Sequence, residues 1–275
     1  MQTLWFITNP GSGTTSHAKC EALEAVFSER GLTLAGRTNF PEDDLPGAAQ
    51  LDRAGVDTVV LFAGDGTINA ALCALAGWCG AFLILPGGTM NLLAKALHGE
   101  KDPQAIIHAA TGIDRLVSLP FIEAGKHRAF VGLILGPAAN WYRAREAARK
   151  RSGLIRAIRF AWAKTFASRG VRLAGAGLRD RYQAVYVTPE EPGLSVAAVE
   201  ARDWRAIAEL GWDWLNGDWI DARAVTETRA EKLTTLGQTP VLALFDGEPQ
   251  RLDSGTEISS GVSARAFIAT REEAP

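Results

Sequence analysis

Three apolar runs near the start of the chain each stop abruptly at a cluster of glycine, proline and small polar residues. They are "LWFIT" at 4–8, followed by "NPGSGTTS"; "DTVVLFA" at 57–63, followed by "GDGTIN"; and "AFLILP" at 81–86, followed by "GGTMN". Between and after them the pattern turns helical. Residues 17–30 read as a helix, with Ser16 as N-cap, Gly31 past its end, and Ala22, Leu23, Val26 and Phe27 on one face. "LTLAGR" reads as a further strand, followed by a loop holding Pro41 and Pro46 and a short helix to about residue 55. Helices are expected over 68–78 and 90–97. Strands that are apolar throughout and alternate with helices belong to a mostly parallel sheet covered on both faces. The expected fold class is therefore α/β, with an N-terminal three-layer domain.

After about residue 116 the pattern changes. "PFIEAGKHRAFVGLILG" reads as a hairpin turning at 124–126, and strands are expected at 182–188, 194–200, 241–245 and 262–269. Helical character returns over 141–168, and Asn216-Gly217 between apolar flanks is a hairpin signal. A second, β-sandwich-like domain is expected, with boundaries at 1–116 and 117–275 and the last residues able to pack back on the first domain.

At 47% hydrophobic and 22% charged residues, a packed core is expected, and a formal charge of −2 does not itself call for a polyanionic partner. Cys20, Cys73 and Cys79 are an odd set with no CxxC pair, so neither a disulfide framework nor a zinc site is expected. The beginning, "MQTLWFITNP", lacks the basic and apolar regions of a signal peptide, and a cytoplasmic setting is expected. Residues 66–94 carry no charge, a length that could span a bilayer. Pro86, Gly87-Gly88, Asn69 and Asn91 break the run, so it parses as helix, strand and loop.

Parallel strands end on a common edge, and ligands bind there. The three glycine-bearing loops would share that edge. Glycine allows close backbone approach, and helix N-termini and successive N–H groups receive phosphates. Hydroxyls of Ser12, Thr67 and Thr89 add donors. Singly, each loop is an ordinary strand-to-helix turn; together they favour a phosphate-rich ligand. Neither a GxxxxGKS/T loop nor a helix-opening GxGxxG is present. Asp65 has two readings. A carboxylate beside polyphosphate needs a cation between them, and Mg²⁺ is held by one or two carboxylates plus phosphate oxygens. Asp is equally a good helix N-cap.

These residues resemble the diacylglycerol kinase catalytic family, which includes bacterial lipid kinases and sphingosine kinases. "NPGSG" is similar to the family's NPxSG, "AGDGTINA" to GGDGTxNE, "LPGGTMNLLAKAL" to PxGTxNxxA, and "LFDGEP" to a late DGE stretch. "KRSGLIRAIRFAW" is similar to a segment ahead of the family's β-rich domain. The resemblance implies an ATP-binding α/β domain, a β-sandwich domain that helps bind lipid, and a site in the cleft between them. It implies transfer of the γ-phosphoryl of ATP, with Mg²⁺, to a lipid hydroxyl. Carried over, Asn9, Ser12 and Gly13 contact phosphates or ribose; Gly64, Asp65, Gly66 and Thr67 hold phosphates and metal, with Asp65 the metal ligand; and Gly88, Thr89 and Asn91 complete the nucleotide site. Thr38 matches a nucleotide-contacting threonine. Asp246 and Glu248 supply the base, although Asp246-Gly247-Glu248 also reads as a plain β-turn. Ala63 stands in place of the first glycine of GGDGT and Ala70 in place of its glutamate, and the basic residue after NPxSG is missing.

Between Arg143 and Arg172 lie ten basic residues and one acid, net +9, which leaves the rest of the −2 chain at −11. Leu154, Ile155, Ile158, Ala161, Trp162 and Thr165 share one helical face there. Such a helix either rests on an anionic membrane or packs its apolar face on the sandwich. No binding motif points to nucleic acid. Trp204, Trp212, Trp214 and Trp219 fit either a membrane interface or sandwich packing. The expectation is a cytoplasmic lipid kinase peripheral to the membrane. An NAD-kinase-like enzyme and a nucleotide-binding protein without catalysis remain the alternatives, the latter favoured by Ala63 and Ala70.

Overall fold

A computed structural model describes residues 1–11, 15–89, 91–112, 115–141, 170–178, 180–199, 225–264 and 266–271. Residues 142–169, which hold all but the ends of the expected helix over 141–168 and of the basic segment between Arg143 and Arg172, and the Trp204–Trp219 cluster with its Asn216-Gly217 turn lie outside those residues. Two compact units are present: Met1–Leu119 with Val262–Pro275, and Pro120–Gly261.

The first unit is built on β1 (Thr3–Thr8), β2 (Thr33–Asn39), β3 (Thr58–Ala63), β4 (Ala81–Pro86) and the short β5 (Leu116–Val117). Its helices are α1 (His17–Glu29), α2 (Ala48–Arg53), α3 (Asp65–Ala74), α4 (Leu92–His98) and α5 (Pro103–Ala110). β2, β1, β3 and β4 lie side by side in that order and all run parallel. Strands β1, β3 and β4 are buried on both faces, which is why they read as unbroken apolar runs. One face is covered by Leu23, Val26 and Phe27 of α1 and Ile106 and Ile107 of α5; Phe6 meets Phe27 edge-on at 5.3 Å. Ser16 caps α1 as expected, its hydroxyl accepting the Lys19 N–H. The helix α5 was not anticipated, yet it carries a recognisable start: Asp102 accepts the Ala105 N–H and Pro103 follows at the first helical position.

The second unit is a sandwich. One sheet contains β8 (Leu133–Leu135), β10 (Ala184–Pro189), β11 (Leu194–Val199), β12 (Val225–Ala230), β14 (Val241–Phe245) and β15 (Glu248–Leu252); the other contains β6 (Pro120–Ala124), β7 (His127–Ala129), β9 (Arg172–Ala174), β13 (Lys232–Leu236) and β16 (Glu257–Val262). Ile122, Leu173, Leu233 and Ile258 from one sheet share a core with Leu135, Val185, Val196 and Phe245 from the other. The chain then returns to the first unit as β17 (Phe267–Ile268), parallel to β4 and antiparallel to β5. Phe267 stacks on Phe82, which in turn meets Trp78 edge-on. Among the described residues no helix is long and apolar enough to cross a membrane, and residues 66–94 divide among α3, β4 and α4.

Candidate active site

Because β1, β3 and β4 are parallel, Asn9, Gly64 and Gly87 leave the sheet on one edge, where Thr8 pairs with Phe62 and Ala63 with Pro86. The three loops are held on one another by side chains. Asn9 Nδ2 donates to Thr67 Oγ1 at 2.9 Å, tying the first loop to the first turn of α3. Asn9 Oδ1 accepts the Gly11 N–H at 3.1 Å, and the Asn9 carbonyl accepts the Thr15 hydroxyl. The Gly87 N–H donates to the Ala63 carbonyl at 3.2 Å.

Asp65 is not the cap of its own helix. The N-cap of α3 is Gly64, and Asp65 is the first helical residue. Its carboxylate reaches across to α4: Oδ2 accepts the Asn91 N–H at 3.1 Å and Oδ1 accepts the Leu92 N–H at 3.0 Å. Asn91 sits at φ 54°, a left-handed conformation that asparagine tolerates better than most residues. Its Oδ1 accepts the Gly88 N–H at 2.6 Å, and its Nδ2 donates to the Gly88 carbonyl at 3.1 Å. Asp65 and Asn91 thus form one clasp that fixes the third loop to the second.

The glycines allow this proximity. A Cβ at Gly88 would lie 2.7 Å from Gly64 Cα, and one at Gly87 would lie 2.7 Å from the Ala63 nitrogen. Ala63 itself is an ordinary strand residue, paired with Pro86 and fully buried, and it is absent from the positive-φ residues. Alanine there costs nothing in backbone strain. Ala70 lies one residue past Asn69 in α3, half-buried.

The edge presents backbone donors. Gly64 gives α3 no side-chain cap, so its first-turn N–H groups and its dipole face the loops. Thr89 is exposed above buried Gly87 and Gly88. Among the described residues no cluster of three or more His, Cys, Asp or Glu side chains could hold a metal by itself. Mg²⁺ is commonly held by one or two carboxylates plus phosphate oxygens, and each Asp65 oxygen, besides the backbone N–H that it accepts, has a second lone pair with which it could meet such an ion. Thr38 is placed differently from the other expected contacts. It is 3% exposed, and its hydroxyl accepts the Trp5 indole N–H at 3.0 Å, so it packs the sheet. Ser12 and Gly13 lie outside the described residues.

In the second unit Asp246 and Gly247 are the two turn residues between β14 and β15, at φ 48° and 89°. Positive φ at both positions matches the right-handed twist of the flanking strands. The turn also binds. Asp246 Oδ2 accepts the Phe130 N–H at 2.8 Å, and Oδ1 accepts those of Val131 at 2.9 Å and Gly132 at 3.0 Å. The Asp246 N–H donates back to the Gly132 carbonyl at 3.0 Å. The Tyr186 ring lies against Gly132, where a Cβ would come within 2.6 Å of it. Burial, and secondarily the negative charge of Asp246, push the Tyr186 phenol up to about 12. Glu248 is exposed at the start of β15, opposite Phe245. Sequence reasoning missed the partnership of Asp246 with 130–132, because no local pattern links positions more than a hundred residues apart.

Residues 3–119 match the family model described as the diacylglycerol kinase catalytic domain. No curated protein matches the sequence. Among solved structures, a diacylglycerol kinase from Bacillus anthracis str. Sterne is 15% identical, with a TM-score of 0.65 over 100% of this chain and 98% of that one. A second protein of the same strain, provisionally designated a diacylglycerol kinase, is 15% identical with a TM-score of 0.66 over 100% and 99% of the two chains. A third, provisionally designated likewise, is 16% identical with a TM-score of 0.66 over 98% and 97%. These structures share the fold over both units, and residues 3–119, the bulk of the first unit, match the diacylglycerol kinase catalytic domain family.

Proposed function

We propose that the protein is a lipid kinase that transfers the γ-phosphoryl of ATP, with Mg²⁺, to a lipid hydroxyl. The observation that carries this reading is the clasped edge of the first unit. Asn9, Asp65 and Asn91 hold three loops together with their side chains, while Thr89 is exposed above them and the first turn of α3 has no side-chain cap. Such an edge suits phosphates, and phosphoryl transfer is mainly positioning and charge neutralisation. Asp65 would contribute to Mg²⁺ directly or through its water shell, and the metal would neutralise charge on the β- and γ-phosphates.

In the reaction the lipid hydroxyl oxygen bonds to the γ-phosphorus, the bond from that phosphorus to the β–γ bridging oxygen breaks, and ADP leaves. The hydroxyl proton passes to the carboxylates at Asp246 and Glu248. Three backbone donors on Asp246 make it the more firmly held of the two. The ordinary strand geometry of Ala63 removes one argument for a protein that binds nucleotide without turning it over. The acceptor would be met at a membrane surface, with the basic segment between Arg143 and Arg172 as the contact.

The test is a panel of acceptors under γ-labelled ATP and Mg²⁺: diacylglycerol, a sphingoid base, phosphatidylglycerol, a polyprenol and NAD. Label in the organic phase with one of the lipids is the expected result. Label only in water-soluble product formed from NAD would replace the lipid reading with the NAD-kinase one.

A further inference from the structure

We infer that the second unit carries a phosphate-binding pocket at the opposite end of its larger sheet from Asp246. A cavity of about 690 Å³ opens there, lined by residues that include Arg172, Arg181, Pro137, Val171, Leu236 and Gln238. Strand β14 begins at this cavity with Val241 and ends five residues later at the Asp246 turn, a separation on the order of 15 Å. The pocket is thus distinct from the carboxylate pair.

Its chemistry is that of an anion site with an apolar wall. Arg172 on β9 lies directly opposite Leu236 on β13, and both side chains are exposed, because their neighbours Leu173 and Thr235 point into the core. Arg181 is brought in from the chain leading to β10: its Nη1 donates to the Gly170 carbonyl at 3.3 Å, and Gly170 lines the cavity. Neither guanidinium has a carboxylate partner among the described residues, although Asp180 precedes Arg181. Two arginines line one concavity, and among the described residues neither has a carboxylate beside it. A phosphate, with oxygens on every side and one or two negative charges, accepts forked donation from both. Leu236, Pro137 and Val171 supply an apolar wall beside them that suits the glycerol and first acyl carbons of an amphiphile. The ligand class is an organic phosphate, either a lipid headgroup with part of its chain or a soluble phosphate ester.

The experiment is calorimetric titration of the full chain with dihexanoyl phosphatidylglycerol below its micelle concentration, and with glycerol 3-phosphate. Both are repeated on the double variant Arg172→Gln, Arg181→Gln. Exposed side chains with one weak contact between them should leave the thermal midpoint unchanged. Binding of the amphiphile that weakens at least tenfold in the double variant is expected. If glycerol 3-phosphate binds as tightly as the amphiphile and shows the same loss, the pocket serves a soluble phosphate; if it binds at least tenfold more weakly, the lipid is the source. Unchanged affinity in the double variant, or no binding of either probe to the wild type, overturns the inference. Because the readout is binding to the second unit and not phosphoryl transfer, its failure would leave the reading of the loops of the first unit untouched.

Discussion

Replacing Asp246 tests whether its carboxylate is a structural clamp as well as a candidate base. Asp246→Ala deletes the acceptor of three backbone N–H groups at 2.8, 2.9 and 3.0 Å. A hydrogen bond to a charged group contributes about 1.5–3 kcal/mol net when buried. The site is half-buried, so about 1 kcal/mol per bond is the appropriate scale, or about 3 kcal/mol in all. Alanine also fits poorly at φ 48°, which adds about 1 kcal/mol. The expected loss is therefore about 4 kcal/mol, a large share of the stability of an ordinary domain. Asp246→Asn keeps the turn conformation and one oxygen for Val131 and Gly132, but sets an amide N–H₂ against the Phe130 N–H; it should cost about 1–2 kcal/mol. Asp246→Gly relieves the turn and loses the bonds, so it should fall between the two. Urea unfolding followed by circular dichroism gives the three values, read on the transition of the second unit. An alanine variant within about 0.5 kcal/mol of the wild type, or an asparagine variant as costly as alanine, would refute the clamp.

Gly88→Ala pushes a methyl to 2.7 Å from Gly64 Cα and should spread the second and third loops, weakening ATP binding more than tenfold in a nucleotide titration. Ala63→Gly should restore nothing: the strand geometry already suits alanine, so lipid phosphorylation is expected to stay within twofold while thermal stability falls by about 0.5–1 kcal/mol. His98 is 1% exposed, and burial, then the charge of Lys101, lowers its pKa from 6.5 to about 4. Its Nδ1 lies 3.1 Å from Thr270 Oγ1, and its Nε2 is buried without a hydrogen bond of good geometry, the Ile84 carbonyl opposing the shift only weakly. The unfolded chain binds this proton near pH 6.5 and the folded chain only near pH 4, so stability is full above 6.5 and falls by about 3 kcal/mol as pH drops to 4. Unfolding measured across that window should flatten in His98→Phe; an unchanged acid limb would mean that other groups set it.

The sequence was most readable where one residue acts locally. Unbroken apolar runs announced β1, β3 and β4, Ser16 announced α1, and the glycine clusters announced loops that share one edge. Polar strands were harder: β12 and β13 read "VTETRA" and "KLTTL", which carry little apolar alternation and emerge only through pairing with β11, β9 and β16. Within the site, residue types were legible and partners were not. Asp65 reads as a cap of its own helix or a metal ligand; its carboxylate grips the start of the next helix, which the sequence does not show. The Thr38 hydroxyl accepts the indole N–H of Trp5, a partnership that the motif does not display. Such choices are set by tertiary approach, which a motif does not display.

The most direct measurement is transfer of label from γ-labelled ATP to a total lipid extract by the purified protein with Mg²⁺, run beside Asp65→Ala. A single labelled lipid formed by the wild type and absent with the variant is the predicted result, and chromatography of that product identifies the acceptor. No labelled lipid from wild-type protein that demonstrably binds Mg-ATP would contradict the account.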